Sequence, residues 1–305
     1  MRFGLAIIAM LTVPACDLGR VTVDTTAKVL VRAQPALQQE SDYQLAHDAI
    51  PGTLKTIEGF WVVSPDNTDL LGLLTEGYCQ YGTAFIEDDW EVAKFANRFE
   101  EVQYHTARAT HIFTRCLNYA LKQLGEPWQT KLFGPSDELT KLAKDTGGDK
   151  RDQMMWTALA LGSIVNHNLK DPELLAYAST VEAILTRVLE LDAAHLPGRK
   201  DYAALPHIAF GMLYTAVSAQ FGGKPDKARE HFETALRLTD GKLLLARALM
   251  GYRVGVITND RKLFHDQLKQ VLETPPSVWP EQRLANEVAH RRARRYLSHE
   301  KQLFP

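Results

Sequence analysis

Apolar residues recur at helical spacing along almost the whole chain. From about residue 31 onward they return every three or four positions. The segments that interrupt them combine glycine, proline and helix-capping side chains, as in "SPDNTD" (64–69), "FGGKPD" (221–226) and "TNDR" (258–261). Sustained two-residue alternation between hairpin turns, the pattern typical of strands, is missing from the sequence. The pattern therefore predicts an all-α fold.

Several of these segments share one spacing of small and large apolar residues. The clearest is A-x3-F-x2-A-L, which begins at Ala228 and is the spacing of the second helix of a tetratricopeptide repeat. Small residues there admit the neighbouring helix, and the large one fills the gap between the two. The same spacing fits residues 109–117, 181–189 and 264–272, and more loosely 50–57.

The intervals between these segments all exceed the roughly 34 residues of a regular array. We therefore predict degenerate tetratricopeptide-like helical hairpin repeats with insertions. Together they are expected to form a superhelical single domain over residues 31–305.

The start of the chain has a different pattern. Residues 5–13, "LAIIAMLTV", form an unbroken apolar run behind the basic Arg2. A membrane-spanning helix needs roughly 20 apolar residues, so this run is too short to span. It is typical of a secretory signal.

The last residue of this run and the three that follow it resemble a bacterial lipobox. In "VPAC" (13–16) an aliphatic residue stands three before Cys16 and a small one just before it. The resemblance implies that residues 1–15 are a lipoprotein signal peptide, that Cys16 is lipidated, and that residues 16–30 are a tether to the membrane. The alternative is an ordinary signal peptide cut near Ala15, with Cys16 a free thiol.

Composition argues against nucleic acid as a partner. The chain has 35 Lys and Arg against 37 Asp and Glu, a net charge of −2, and 45% hydrophobic residues, all ordinary for a globular protein. A nucleic-acid-binding surface would leave a basic footprint. We expect no nucleic-acid partner.

Two further cysteines, Cys79 and Cys116, lie within helical patterns around residues 68–87 and 98–124. If these helices form an antiparallel pair, Cys79 is about 10 residues from the connection and Cys116 about 20 or more. At 1.5 Å per residue, the two sulfur atoms would then lie too far apart along the helices to form a disulfide. Buried free thiols are the favoured interpretation. A disulfide, which export would permit, is the alternative.

Motifs that carry catalytic chemistry are missing from the sequence. It contains no HExxH, no GxSxG and no phosphate-binding glycine loop. The single Glu287-x2-His290 falls short of the two such motifs that a di-iron bundle needs. The acidic run Glu87-Asp88-Asp89 is expected to be solvated. We predict no catalytic residue, no metal site, no cofactor and no enzymatic activity.

One dense basic cluster lies near the C-terminus. It consists of Arg291, Arg292, Arg294 and Arg295. One interpretation is a solvated helix face on which Glu287 pairs with the arginine four residues later. The other is a contact with anionic lipid or an acidic protein partner.

Five aromatic residues lie on or near the predicted first helices of the hairpins. In a superhelical repeat array such helices line the concave face. Each residue alone could be ordinary packing, but as a set they are the candidate ligand-lining residues, with a hydroxyl or indole N–H to orient a polar head. They are Tyr78, Tyr81, Trp156, Tyr214 and Tyr252.

Several segments along the chain form one recognisable set: the lipobox, "DNTDLLGLLTEGYCQYGTAFIED", the pair Met155-Trp156, "GGKPDKAREHFETAL" and the terminal "LANEVAHRRARRYLSHEKQLF". On these segments the chain resembles the T component of tetratricopeptide-associated TRAP transporters, a family of periplasmic lipoproteins. The resemblance implies a periplasmic TRAP solute-binding protein as partner and a homo-oligomer, a trimer. It also implies a hydrophobic-lined pore or cleft for an apolar or amphipathic small ligand.

The resulting hypothesis is a lipid-anchored transporter component of the bacterial cell envelope that faces the periplasm. The alternative is a lipoprotein scaffold that holds envelope proteins through a peptide groove and binds no small ligand. An enclosed apolar cavity would favour the first, and an open groove lined with Asn, Lys and Arg would favour the second.

Overall fold

The computed structural model describes residues 17–304. Over that range the protein is all-helical, with 83% of residues in helices and no strand, which confirms the predicted fold class. None of the helices in this range has the length and apolar character needed to cross a membrane. The lipobox and Cys16 lie outside the described residues.

The first half of the chain alternates long helices with short ones. It contains α1 (Leu18–Gln38), α2 (Tyr43–Val63), α3 (Thr68–Tyr81), α4 (Glu87–Phe95), α5 (Phe99–Leu124), α6 (Glu126–Lys131), α7 (Ser136–Asp145) and α8 (Arg151–His167). A π-helical turn, Gly82–Ile86, joins α3 to α4 without a break.

The second half has a similar alternation. It contains α9 (Pro172–Ala176), α10 (Ala178–Ala194), α11 (Lys200–Tyr214), α12 (Pro225–Leu238), α13 (Leu244–Leu249), α14 (Gly255–Ile257), α15 (Arg261–Glu273), α16 (Arg283–Ser298) and α17 (Glu300–Leu303). A second π-helical turn, Met250–Val254, joins α13 to α14.

Helix α1 begins earlier than the sequence pattern suggested. The Asp17 side chain accepts a hydrogen bond from the backbone N–H of Arg20 (3.2 Å) and so caps the helix at Leu18. Of the predicted tether, residues 16–30, the described part is therefore mostly helical. It packs against α2 and α3 and buries Val23 and Ala27.

Successive long helices pack against one another in chain order. Helix α3 lies on α5, α5 on α8, α8 on α10, α10 on α11 and α11 on α12. The large residues at the repeated spacing lie in the core, since Phe113, Phe232 and Phe264 are all fully buried. Helices α11 and α12 approach so closely that a Cβ on Gly211 would lie 2.5 Å from the Phe232 ring.

Cys79 and Cys116 form a disulfide, with their Cα atoms 5.4 Å apart. The favoured prediction of two free thiols is therefore wrong. Its error lies in the length of the first helix, because α3 continues through the π-helical turn into α4 and ends only at Phe95. Helix α5 then begins at Phe99. The two cysteines are thus at nearly equal distances from the connection, and antiparallel packing brings them together.

Candidate ligand cavity

Helices α3, α8, α11 and α16 run in the same direction, which contacts at the beginnings of α8, α11 and α16 and in the second half of α3 establish. Arg151 at the start of α8 donates to the carbonyl oxygen of Tyr202 at the start of α11 (3.0 Å). The Tyr202 hydroxyl donates to the Glu76 carboxylate of α3 (2.7 Å). The Gln282 amide, just before α16, donates to Asp201 (2.9 Å). These contacts bring the beginnings of α8, α11 and α16 together beside the second half of α3.

Further along, a second set of contacts joins α8 and α16 to the segments that continue α3 and α13. Glu87 lies 3.5 Å from His167 at the end of α8 and 3.6 Å from Arg292 in α16. Arg253 donates to the side-chain oxygen of Asn166 (2.8 Å). Because later residues of α8 and α16 again meet the continuation of α3, these helices form parallel walls, and α11 packs on α8.

Between these walls lies a cavity of about 220 Å³, to which α13 also contributes. Most of its lining is aliphatic. Several of the lining side chains are only half-buried, as expected for groups that border a space rather than fill it. They are Leu159, Leu205, Ile208, Met212, Leu245 and Leu284.

Polar lining residues are concentrated at the two ends of the cavity. The end at the helix beginnings is called here the acidic end, and it is lined by Gln38, Gln80, Asp201, Tyr202 and Gln282. The opposite end is called the arginine end, and it is lined by Thr83, Glu87, Ser163, Asn166 and Arg292. An apolar middle with two polar ends is the arrangement that suits an amphipathic ligand.

Two carboxylates set the character of the acidic end. Glu76 accepts hydrogen bonds from the Tyr202 hydroxyl (2.7 Å) and from the Gln80 amide (2.8 Å). Burial and the nearby Glu76 carboxylate raise the pKa of Tyr202, so its hydroxyl stays protonated and donates. Asp201 pairs with Arg199 (2.5 Å).

Arg292 sets the character of the arginine end. It is 1% exposed and donates from one terminal nitrogen to the carbonyl oxygen of Thr83 (2.5 Å). Its Nε has no hydrogen-bond partner among residues 17–304. Burial disfavours the charged guanidinium, but the carboxylates of Glu91 and Glu87 outweigh burial and raise the pKa of Arg292. Arg292 is therefore a buried, permanent positive charge.

The structure places one of the five candidate aromatic residues in the cavity wall. That residue is Trp156, whose ring meets Tyr202 edge-on with centroids 5.9 Å apart. The other four pack elsewhere: Tyr78 stacks on Tyr119, Tyr81 accepts from Arg108, Tyr214 donates to Glu182, and Tyr252 stacks on Tyr296. The structure does not bring the five together.

The aliphatic wall and Asn166 were not among the candidate residues. The wall of α11 has a signal in the sequence, because "LPHIAFGMLY" (205–214) is apolar on more than one face. One face, with Phe210, Gly211 and Tyr214, is buried in packing. The other supplies the cavity wall. Asn166 has no such signal.

The four arginines of the basic cluster differ in their surroundings. Arg291 and Arg295 each bind Asp88 at 2.6 Å, and Arg295 also binds Glu91. Arg294 is exposed. Arg292 is buried beside Glu87. Three of the four arginines therefore pair with carboxylates of α4.

These contacts correct two expectations. The acidic run beginning at Glu87 is not solvated, because Glu87 and Asp88 are buried against α16. Glu287 pairs with Arg283 (3.3 Å) rather than with Arg291. Both errors have one cause: α16 lies against α4, so its arginines pair with the buried acidic run and Arg291 is taken by Asp88.

The fold and the cavity define an all-helical protein built around a mostly apolar internal space. A family model described as TRAP transporter T-component matches residues 39–304. Because the match covers most of the chain, the protein belongs to that family, which is transport-associated and not enzymatic. This confirms the resemblance found in the sequence. A comparison with curated proteins found no match.

Proposed function

We propose that this chain is the accessory component of a TRAP-type transporter and that it binds an apolar or amphipathic small ligand in the cavity between α3, α8, α11 and α16. One observation carries the proposal: a member of the T-component family has an internal space whose wall is made of half-buried aliphatic side chains. Bare aliphatic surface inside a fold is unfavourable against water and gains free energy when an apolar ligand covers it.

The helical hairpins are, on this proposal, degenerate tetratricopeptide-like repeats. The fully buried Ala228 and Phe232 of α12, with Phe232 against Gly211 of α11, support it. Burial of Phe113 and Phe264 at the corresponding positions of α5 and α15 supports it further. In such an array the parallel first helices form the inner wall, which is where the cavity lies.

The proposed place of action is the cell envelope, with the protein anchored by lipid at Cys16 and facing the periplasm. A periplasmic TRAP solute-binding protein is the proposed partner, and a homo-oligomer, a trimer, the proposed assembly. The lipobox and the family membership support this placement. Cys16→Ala is expected to release the protein from membranes in fractionation. A variant that stays membrane-bound would contradict the lipid anchor.

The aliphatic wall favours a small ligand over a peptide scaffold. A peptide-binding repeat groove would need several Asn, Lys and Arg side chains along its inner helices. The middle of this cavity offers leucine, isoleucine and methionine instead.

Filling the cavity tests the proposed ligand. Ala209 is half-buried in the wall, so Ala209→Trp places an indole in the space. Ala176→Trp, the same change at an exposed position, is the matched control. Native mass spectrometry should show a co-purified apolar molecule on the wild type and on the control but not on Ala209→Trp. Equal ligand mass on all three, or none on any with no uptake of added dodecanol, would contradict the proposal.

Association with the partner needs a separate measurement. The protein is mixed with the solute-binding protein of the same transporter and examined by native mass spectrometry. We expect a discrete oligomer that gains the partner's mass. A monomer that ignores the partner would contradict the transporter assignment and leave the scaffold as the better account.

A further inference from the structure

We propose that the ligand is a single-chain anionic amphiphile with a carboxylate head, and that the head binds at the arginine end of the cavity, against Asn166 and Arg292. This inference rests on the proposed function, because it names the class of ligand for the same cavity. It is carried by hydrogen-bond donors at that end for which residues 17–304 provide no acceptor.

Asn166 supplies the accessible donor. Its side chain is half-buried and lines the cavity. Its Oδ1 accepts a hydrogen bond from Arg253 (2.8 Å), which fixes the orientation of the amide. The amide N–H groups are therefore left to donate, and within residues 17–304 no group accepts from them. A carboxylate at this wall would satisfy them, and hydrogen bonds to charged groups are the strong ones.

Arg292 supplies charge behind the same wall. Its guanidinium is almost completely buried, and Nε has no partner in the described part of the chain. The hydroxyls of Thr83 and Ser163 lie in the same stretch of lining. Glu87, the one carboxylate in this lining, already lies against Arg292 and His167. The donors that remain are those that an incoming anion would use.

The wider surroundings of the arginine end carry more positive than negative charge. Three carboxylates, Glu87, Asp88 and Glu91, are paired with Arg291, Arg292 and Arg295. Arg253 and Lys94 add two more cations. Among residues 17–304 no carboxylate lies within 4 Å of Arg253. Burial and, after it, repulsion by Arg253 lower the pKa of Lys94, which agrees with a local excess of positive charge.

The acidic end determines which way the ligand lies in the cavity. Glu76 takes its hydrogen bonds from neutral side chains, and no described cation forms an ion pair with it. An anionic head would be repelled there and attracted at the opposite end. Between the two ends, the wall from Leu205 to Met212 covers about 10 Å of α11, at 1.5 Å per residue. An alkyl chain therefore lies along α11, with its head toward Asn166.

The test compares three probes with the same alkyl chain: dodecanoate, dodecanol and dodecyltrimethylammonium. Each is titrated calorimetrically, the two ionic probes below their micellar concentrations and dodecanol below its solubility limit. Dodecanoate is expected to bind most tightly. The key variant is Asn166→Asp, which is nearly isosteric and keeps an acceptor for Arg253 but places a carboxylate where the head would lie. It should weaken dodecanoate by at least about tenfold, the loss of one charged hydrogen bond, and leave dodecanol within about twofold.

Asn118→Asp makes the same change at an exposed position of α5 and should bind all three probes like the wild type. If Asn166→Asp does not fold, Arg253→Gln serves in its place, since it keeps a donor for Asn166 but removes the charge. That variant should weaken dodecanoate several-fold and leave dodecanol unchanged.

The outcomes separate the two proposals. Equal binding of dodecanoate and dodecanol that is unchanged in both variants would overturn the carboxylate head and leave the apolar cavity standing. Tighter binding of the ammonium probe would overturn the head and its direction. If none of the probes binds, the proposed function falls together with this inference.

Discussion

The contact between α11 and α12 and the contact between α4 and α16 are made by opposite kinds of side chain. The first is apolar and close, with Phe232 seated on Gly211 and Ala228 fully buried beside it. The second is ionic, with Asp88 between Arg291 and Arg295.

The two contacts also differ in the distance that they cover along the chain. Helices α11 and α12 are neighbours in sequence, whereas Arg291 and Asp88 are 203 residues apart. The comparison teaches that local hairpins here are encoded by the spacing of small and large residues. The closure that brings a late helix onto an early one is encoded by charges, whose partners no local spacing reveals.

The largest expected effect is at the apolar contact. Phe232→Ala removes a fully buried ring and leaves a cavity above Gly211, so we expect a loss of about 3–5 kcal/mol in the free energy of unfolding, measured by urea denaturation. Phe221→Ala, at a phenylalanine that is 80% exposed, should change it by less than about 0.5 kcal/mol. A loss below about 1 kcal/mol for Phe232→Ala would contradict its role in packing the hairpin.

A somewhat smaller effect is expected at the ionic contact. Arg295→Met leaves Asp88 and Glu91 with fewer partners, although Arg291 still binds Asp88 and Tyr296 still binds Glu91. Removing one member of a buried ion pair costs about 3–5 kcal/mol, and with these remaining partners we expect about 2–3 kcal/mol.

The control for this variant lies on the same helix. Arg294→Met changes an exposed arginine and should be nearly neutral in the same urea titration. Equal effects of the two substitutions would show that the ionic contact does not stabilise the closure of α16 onto α4.

The sequence was sufficient for features that depend on neighbours along the chain. Helix α12 begins at a proline, and its Ala228 and Phe232 are buried at the spacing read from the sequence. The disulfide was not predictable in the same way. Its two cysteines come together because a π-helical turn joins α3 to α4, so that the helix continues to Phe95. No pattern in the sequence predicts that turn.

The resemblance implied a hydrophobic-lined cleft, but the residues that line it could not be identified from the sequence, for a related reason. The apolar excess of α11 could be read, but which of its faces would be packed depends on where α16 and α13 lie. Trp156 was predicted to line a ligand site only because it lies on a predicted first helix of a hairpin. Asn166 and the pairing of the arginines with α4 needed the long-range contact itself, because a polar residue on a helix looks the same in sequence whether it faces water or a partner.

The smallest expected effect is on the stability at low pH, which should differ between the contact of α11 with α12 and the contact of α4 with α16. His207 of α11 and His231 of α12 face each other with their Nδ1 atoms 2.9 Å apart, so one ring must donate and the other accept. Burial, with the nearby His231 and Arg237, lowers the pKa of His207 to about 4. Burial also lowers the pKa of His231, opposed by Glu230 and reinforced by Lys227.

The sign of the pH effect follows from these lowered values. Between pH about 6.5 and about 4 the unfolded chain binds protons that the folded chain does not, so stability falls as the pH falls through that window. At the ionic contact, burial tends to raise the pKa of Asp88, but Arg295 and Arg292 hold it below its ordinary range. That contact therefore keeps its charges until the pH is lower still, and the hairpin should weaken first.

His207→Gln removes one of these titrations and should shift the acid-unfolding midpoint down by roughly half a pH unit, with little change from the titration itself at neutral pH. The measurement is urea denaturation repeated from pH 7 to pH 4. His195→Gln, at an exposed histidine, should follow the wild type. If the stability of His207→Gln falls with pH as steeply as that of the wild type, the histidine pair does not set the acid limit of the hairpin. Another titrating group would then set that limit, and acid would not distinguish the hairpin from the ionic contact.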